Sequence, residues 1–329
     1  MSVLHDPFGR QISYLRLSVT DRCDFRCTYC MSEDMVFAPH SHLLTLDELY
    51  QVASAFIGLG VRRIRLTGGE PLVRKHVLSL LTRLGQRREL EDLSITTNGS
   101  QLAEMAPLLR QAGVSRINVS LDSLNSELFA QFTRRDRLAQ VLQGIEVAVQ
   151  QGFKRVKINS VIQSGHNEHE LVDLVRYAVS LGADISFIEE MPLGTISSHQ
   201  RASTFCSSEQ VRERLASEFQ LIPSLLKTGG PSRYWRVQGT QPHVGFISPH
   251  SQNFCGSCNR VRVTAEGKLV LCLGHDGALD LRNIVRRYPN QIEPLQEAII
   301  HALQLKPERH FFEQDTQVQV VRFMSVTGG

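Results

Sequence analysis

The order of hydrophobic patterns predicts an α/β protein built on a parallel sheet. Three observations carry that expectation. Strand-like and helix-like patterns alternate from residue 15 to about 188. Gly113, Gly152 and Gly182 follow helical stretches, as stop signals do. The strand-like runs also alternate apolar and polar residues along their length.

The strand-like runs are 15–19, 62–66, 93–97, 116–121, 154–162 and 184–188. They are short, rich in Val, Ile and Leu, and bounded by turn residues. The first helix starts at a capping box, Thr45 with Glu48 three residues on, and ends near Gly58 and Gly60. The later helical stretches are 75–86, 102–112, 138–151 and 168–181. Six such units suit either a doubly wound sheet or an incomplete barrel. The stretch 192–206 is polar and aperiodic, and reads as a loop. Beyond it the pattern breaks. A helical 209–219 precedes short strand-like pieces at 234–237, 244–247, 261–264 and 269–272.

One face of the six strands carries Leu15, Leu17, Val19, Ile64, Leu66, Leu93, Ile95, Ile117, Val119, Val156 and Ile158. Helices cover such a face. The other face carries Arg16, Ser18, Arg65, Thr67, Ser94, Thr96, Asn98, Asn118, Ser120, Lys157 and Asn159. A closed barrel fills its interior with Val, Ile and Leu. This one would be polar and cationic, and unpaired buried cations cost several kcal/mol each. An anionic ligand in the lumen removes that cost. An open sheet with a wet second face is the simpler alternative.

The balance of charge narrows the class. With 329 residues, 42% hydrophobic, the chain can bury a sizeable core. A net charge of +3 gives no reason to expect nucleic acid or an anionic membrane. Seven cysteines, mostly clustered, are unlike an extracellular disulfide framework and suit a reducing compartment. Residues 1–14 hold no apolar signal core, so a cytoplasmic protein is expected.

Cys23, Cys27 and Cys30 put three thiolates on one tight loop after the first strand. An iron–sulfur cubane is usually closed by four cysteines. Three leave one iron open, and an open metal position implies chemistry. A zinc knuckle or three buried thiols is the bland reading. Thr67-Gly68-Gly69-Glu70-Pro71 follows the second strand. Its glycines let backbone approach closely, and its carboxylate can accept from an ammonium. Asn98, Ser120 and Met191 close later strands, where barrel sites form. Asp122 reads equally as a helix cap. Cys255 and Cys258 form a two-residue-gap pair, and a hairpin through Glu266-Gly267 returns Cys272 towards it. Zinc completed by His243, His250 or His275 is one reading of this second triad, and a second open cluster the other. Arg260 and Arg262 share a face there, a spacing suited to phosphate oxygens. Cys206 stands alone.

The first triad, with an aromatic before its last cysteine, resembles the radical S-adenosylmethionine (SAM) superfamily. The Gly-Gly-Glu turn is similar to that superfamily's SAM amino-group motif. Further matches are Leu-Arg-Leu-Ser-Val-Thr-Asp before Cys23, Arg-Leu-Thr-Gly-Gly-Glu-Pro-Leu at 65–72 and Thr-Thr-Asn-Gly at 96–99. Asn-Val-Ser-Leu-Asp at 118–122, Phe-Ile-Glu-Glu-Met at 187–191, Cys-Gly-Ser-Cys-Asn-Arg-Val-Arg at 255–262 and Gly328-Gly329 continue the series. In this order they resemble the GTP 3′,8-cyclases of molybdenum cofactor biosynthesis over nearly the whole chain.

The resemblance implies an incomplete (β/α)6 radical SAM barrel over 1–205. A C-terminal α+β region over 206–329 would close its mouth. It implies two 4Fe-4S clusters, one on Cys23, Cys27 and Cys30 and one on Cys255, Cys258 and Cys272. SAM would meet Tyr29, Gly69, Ser120 and Met191. GTP would meet Arg16, Arg65, Thr96, Lys157, Arg260 and Arg262, with its guanine at the second cluster's open iron. A 5′-deoxyadenosyl radical would take hydrogen from ribose C3′, and C3′ would join C8. Gly328-Gly329 would enter the barrel mouth as part of the catalytic apparatus. The alternating stretch 318–324 before it suggests an anchored strand. A flavodoxin- or ferredoxin-like electron donor, a cyclic pyranopterin monophosphate synthase downstream and a homodimer are also implied. Ser186 departs from the family pattern, which commonly has Arg before Phe-Ile-Glu.

Overall fold

The structure is a computed structural model that describes residues 4–32, 34–194, 201–310, 312 and 323–328. Six strands lie side by side in chain order, all parallel: β1 (Tyr14–Ser18), β2 (Arg63–Thr67), β3 (Asp92–Thr97), β4 (Arg116–Ser120), β5 (Arg155–Ile162) and β6 (Asp184–Glu189). A doubly wound sheet would reverse its order at a switch point. This order never reverses, so the crossovers stay on one face and the sheet curls as a barrel wall.

The crossover helices are α1 (Leu46–Gly58), α2 (Val77–Gly85), α3 (Leu102–Gln111), the short α4 (Ser126–Thr133) with α5 (Leu138–Gln150), and α6 (Leu171–Leu181). The Thr45 capping box is present, with the Thr45 side chain accepting from Glu48 N and the Glu48 carboxylate accepting from Thr45 N. Gly182 ends α6 at φ +72°, a conformation that disfavours any side chain. The apolar strand face is buried against these helices: Leu15, Leu17, Ile64, Leu66, Ile95 and Val119 are at or near zero exposure. Burying each such side chain contributes about 1.5–3 kcal/mol.

The second half does not form a separate layer. After α7 (Arg201–Thr204) and α8 (Ser208–Ala216) come β7 (Leu221–Pro223), β8 (Arg233–Val237) and β9 (His243–Ile247). β9 pairs parallel with β6, and β8 and β7 follow antiparallel. At the opposite edge β10 (Arg260–Val263) pairs parallel with β1, and β11 (Lys268–Val270) and β12 (Ala278–Asp280) follow antiparallel. The result is one open twelve-stranded sheet among the described residues. The hairpin through Gly267 is present.

Two helices outside the sequence-based expectation, α9 (Leu281–Arg287) and α10 (Glu293–Leu303), pack on α1. Gln51 Nε2 ties α1 to their connection, donating to Tyr288 O and Gln291 O. Of the strand expected over 318–324, residues 318–322 lie outside the described residues. Met324 instead opens a short helix, α11 (Met324–Thr327). No helix among the described residues is long and apolar enough to cross a membrane.

At the base of the wall, Asp92 takes a bidentate pair from Arg116, and Arg116 Nε lies 2.6 Å from Asp92 Oδ1. Burial pushes the carboxyl pKa up, but the guanidinium and the Ser115 hydroxyl outweigh it and leave it below the usual value. An acid with a depressed folded pKa stabilises the fold above its unfolded pKa and loses that contribution as pH falls through the folded value. Thermal melts should therefore lose stability below about pH 4. Asp92→Asn should lower Tm at pH 7 and flatten that acid slope. An unchanged slope in the variant would count against the pair.

Candidate active site

The loop after β1 carries the first three cysteines, and the Gly-Gly-Glu turn after β2 clamps its base. Gly69 N donates to Thr20 O at 2.8 Å and Glu70 N to Arg22 O at 2.8 Å. A Cβ on Gly69 would overlap the Arg22 carbonyl. The close approach that this glycine permits is thus first to the cysteine loop. Glu70 is fully buried, which pushes its pKa up to about 7. It accepts from Leu72 N, the Thr97 hydroxyl and Asn98 N at 2.6–3.0 Å. Glu70 therefore acts as a tie between motif and β3, where the sequence suggests an ammonium acceptor. Asn98 extends the tie, donating to Asp24 Oδ1 at 2.7 Å and to Cys23 Sγ at 3.6 Å.

Tyr29 donates to Asp122 Oδ2 at 2.6 Å, and Asp122 Oδ1 accepts from Val161 N. Asp122 is not a helix cap, since Asn125 caps α4. Ser120 and Met191 line the same cavity as Tyr29 and Gly69.

Both cysteine triads line this one cavity. Burial pushes the Cys23 and Cys30 thiols up to about 12 and raises Cys27 well above the ordinary value, with neighbouring cysteines adding to the effect at Cys23 and Cys27. A bound cation inverts that preference and makes thiolates of all three. At the second triad, Lys306 Nζ donates to the carbonyls of Arg260 (3.2 Å) and Leu271. Arg10 donates to Cys255 O at 2.9 Å. Burial raises the Cys258 thiol, but Lys306 and Arg260 outweigh it and leave it below the ordinary value. Neither Lys306 nor Arg10 belongs to a recognisable motif, and sequence spacing could not have found them.

Soft thiolates in threes fit an iron–sulfur cluster, which takes one ligand per iron. Among the described residues no three His, Cys, Asp or Glu gather as they would around a single ion. The histidines proposed to complete a zinc site are engaged elsewhere. His243 faces Asp184, His250 contacts Glu190 O, and His275 contacts Arg309 O.

Between the triads runs the cationic wall. Register places Arg262 (β10), Arg16 (β1) and Arg65 (β2) side by side. These three, with Lys157 and Arg260, are each at most 9% exposed. None forms an ion pair among the described residues. Arg16 Nε, Arg260 Nε, Thr96 Oγ1 and Asn159 Oδ1 are buried without a hydrogen-bond partner. Burial and then the facing Arg262 and Arg65 pull the Arg16 pKa well down. Burial and Arg260 pull Arg262 down to about 10. The lumen is built to receive several negative oxygens. Ser186 adds no cation here: its hydroxyl meets Ser232 at 3.1 Å, and Gly245 packs directly over both.

Gly328 lies buried in the same mouth. Its carbonyl accepts from Arg262 Nη1, and its φ is +76°. A Cβ there would overlap the Thr67 hydroxyl. Met324 and Ser325 line the same cavity as Cys30, so the segment borders the first triad's site as well. Gly329 lies outside the described residues.

The radical SAM superfamily matches residues 17–178, and Molybdenum Cofactor Synthesis C matches residues 183–312. GTP 3′,8-cyclase of Ectopseudomonas mendocina (strain ymp) is 69% identical over 326 residues, covering 99% of this chain and 98% of that protein. The chain belongs to the GTP 3′,8-cyclase family. GTP 3′,8-cyclase 2 of Pseudomonas aeruginosa is 65% identical, over 100% of this chain and 99% of that relative. Among solved structures, Streptococcus suis SuiB bound to S-adenosylmethionine aligns with a TM-score of 0.63, over 97% of this chain and 76% of that one. At 13% identity it shows a shared fold.

Gly328→Ala should expel the 323–328 segment from the mouth, because both the φ and the Thr67 contact oppose a side chain. Carboxypeptidase should then trim the chain faster than in the parent. Equal trimming would mean that the segment is not held there.

Proposed function

We propose that this chain converts GTP to (8S)-3′,8-cyclo-7,8-dihydroguanosine 5′-triphosphate, an early step of molybdenum cofactor biosynthesis. The observation that carries the reading is the shared cavity, with a cysteine triad at each end and, between them, cations that form no ion pair among the described residues. Cys23, Cys27 and Cys30 would hold one 4Fe-4S cluster and Cys255, Cys258 and Cys272 the other. With cluster and SAM bound, the chemistry supplied would be one-electron reductive cleavage of SAM to methionine and a 5′-deoxyadenosyl radical; taking hydrogen from ribose C3′ would give 5′-deoxyadenosine, C3′ would join guanine C8, and one further electron with a proton would complete the 7,8-dihydro product.

The protein's own part is holding and shielding. Tyr29, Gly69, Ser120 and Met191 would line the SAM end, with Tyr29 held by Asp122. Arg16, Arg65, Lys157, Arg260 and Arg262 would neutralise the triphosphate, and Thr96 would meet it from β3. Buried guanidiniums bind phosphate oxygens in pairs and need no reorganisation to do so. Gly328-Gly329 would seal the mouth and steer the radical. The boundary between barrel and C-terminal region is placed near residue 205, although the sheet runs through both. A flavodoxin- or ferredoxin-like protein would supply the electron, and cyclic pyranopterin monophosphate synthase would take the product. A cytoplasmic homodimer is in keeping with the resemblance.

Anaerobic incubation with SAM, GTP and a reductant, followed by product mass analysis, tests the reading. The cyclised nucleotide and 5′-deoxyadenosine should appear together. Cys27→Ser should abolish SAM cleavage. Cys258→Ser should spare part of it and lose ring closure. Equal and complete loss of SAM cleavage in both, with the first cluster intact, would argue against separate roles.

Hydrogen bonds to charged groups contribute roughly 1.5–3 kcal/mol each. Arg262→Ala should therefore weaken GTP binding roughly 10- to 150-fold. Guanosine should bind far more weakly than GTP. Deleting Gly328 and Gly329 should leave both clusters and SAM binding intact while cyclised product falls steeply. Guanosine binding as tightly as GTP would remove the case for an anionic ligand.

A further inference from the structure

His310 lines the cavity at the second-triad end. It is 8% exposed. Gly274, two residues past Cys272, lies against its Cβ at a distance that a side chain would close. Phe254, next to Cys255, meets its ring edge-on at 6.3 Å, and Phe312 lies over it at 4.2 Å. The imidazole thus stands between the two arms of the triad, in an aromatic wall.

Its two nitrogens differ. Nδ1 accepts from Phe312 N at 3.4 Å. An imidazole that accepts at Nδ1 carries its proton on Nε2. That Nε2 is buried and has no hydrogen-bond partner among the described residues. A buried donor without an acceptor is costly, so the site favours a ligand that presents one. The aromatic neighbours suit a flat ring.

We propose that His310 is a specificity-determining residue that reads the 6-position of the purine base, donating from Nε2 to a 6-oxo oxygen. This rests on the reading above, in which the base of the nucleotide lies at the second triad. Guanine offers acceptors at O6 and N7, whereas adenine places a donor amino group at the 6-position. A fixed N–H donor therefore accepts guanine or hypoxanthine and rejects adenine by leaving two donors facing each other. The cationic wall cannot make that distinction, because GTP, ITP and ATP carry the same triphosphate.

The test is equilibrium dialysis of GTP, ITP and ATP against the anaerobically reconstituted holoenzyme. The parent should bind GTP and ITP well ahead of ATP. His310→Phe keeps an aromatic ring against Phe312 and removes the donor. It should reduce the GTP-to-ATP and ITP-to-ATP preferences together, by roughly 10- to 100-fold. SAM binding, followed by the first cluster's electron paramagnetic resonance signal, should stay unchanged. His310→Gln, which retains an N–H donor, should recover much of the preference. A purely structural role would weaken all three nucleotides alike. That outcome overturns the proposal, as does a full GTP-to-ATP preference in the Phe variant, or a loss for GTP that ITP does not share. If the parent itself makes no cyclised nucleotide from GTP, the reading beneath the proposal fails and the proposal with it. If the parent does, and the variants keep their preference, this proposal alone falls.

Discussion

Five buried cations share one lumen and, among the described residues, no carboxylate forms an ion pair with any of them. Their mutual repulsion is the constraint on which the rest of the structure depends. Desolvating a charge costs several kcal/mol, and a like charge beside it adds to that cost. Register makes the conflict unavoidable, because parallel pairing sets Arg262, Arg16 and Arg65 at one level of three adjacent strands. A protein selected only for stability would not keep that row. Its retention makes sense when the missing negative charge arrives with the ligand, which then stabilises the folded state by mass action.

The apolar half of the same strands carries the balancing contribution. Leu15 and Leu17 flank Arg16 on one strand, and Ile64 and Leu66 flank Arg65 on the next. Each alternation seats two aliphatic side chains under helices for every cation turned inward. The C-terminal region then finishes both edges of the sheet. β10 adds the arginine row's third member, and β9 meets β6 across Ser186 and Gly245. Without β10 the cationic wall would lack Arg260 and Arg262. The second half is therefore part of the site and not merely a lid over it.

The two cysteine loops are held by different means. The first is fastened by backbone: the Gly-Gly-Glu turn docks on it, and Glu70 binds the end of β3. The second is fastened by two long cations, Lys306 and Arg10, that gather its carbonyls. The first arrangement leaves a motif in the sequence, because only glycine permits such close backbone contact. The second leaves none, because a lysine reaching two backbone carbonyls can come from almost anywhere in the chain.

Sequence by itself determined the period of the six strand–helix units, the split of each strand into an apolar and a cationic face, and both cysteine triads. Those features are local: they depend on spacing along the chain, which the chain states outright. Asp122 shows where local reading fails: it looks like a cap by position, and its carboxylate instead takes Tyr29, 93 positions away. Glu70, besides accepting from Leu72 N close by, is tied to Thr97 and Asn98, 27 and 28 positions on, which its place in the sequence does not announce. The joining of the two halves into one sheet, the convergence of both triads on one cavity, the seat of Gly328 against Thr67, and the His310 nitrogen left without a partner among the described residues were decided only by the tertiary structure. They are relations between segments separated by tens to hundreds of residues, and the cost of a buried donor or cation exists only once burial has been achieved.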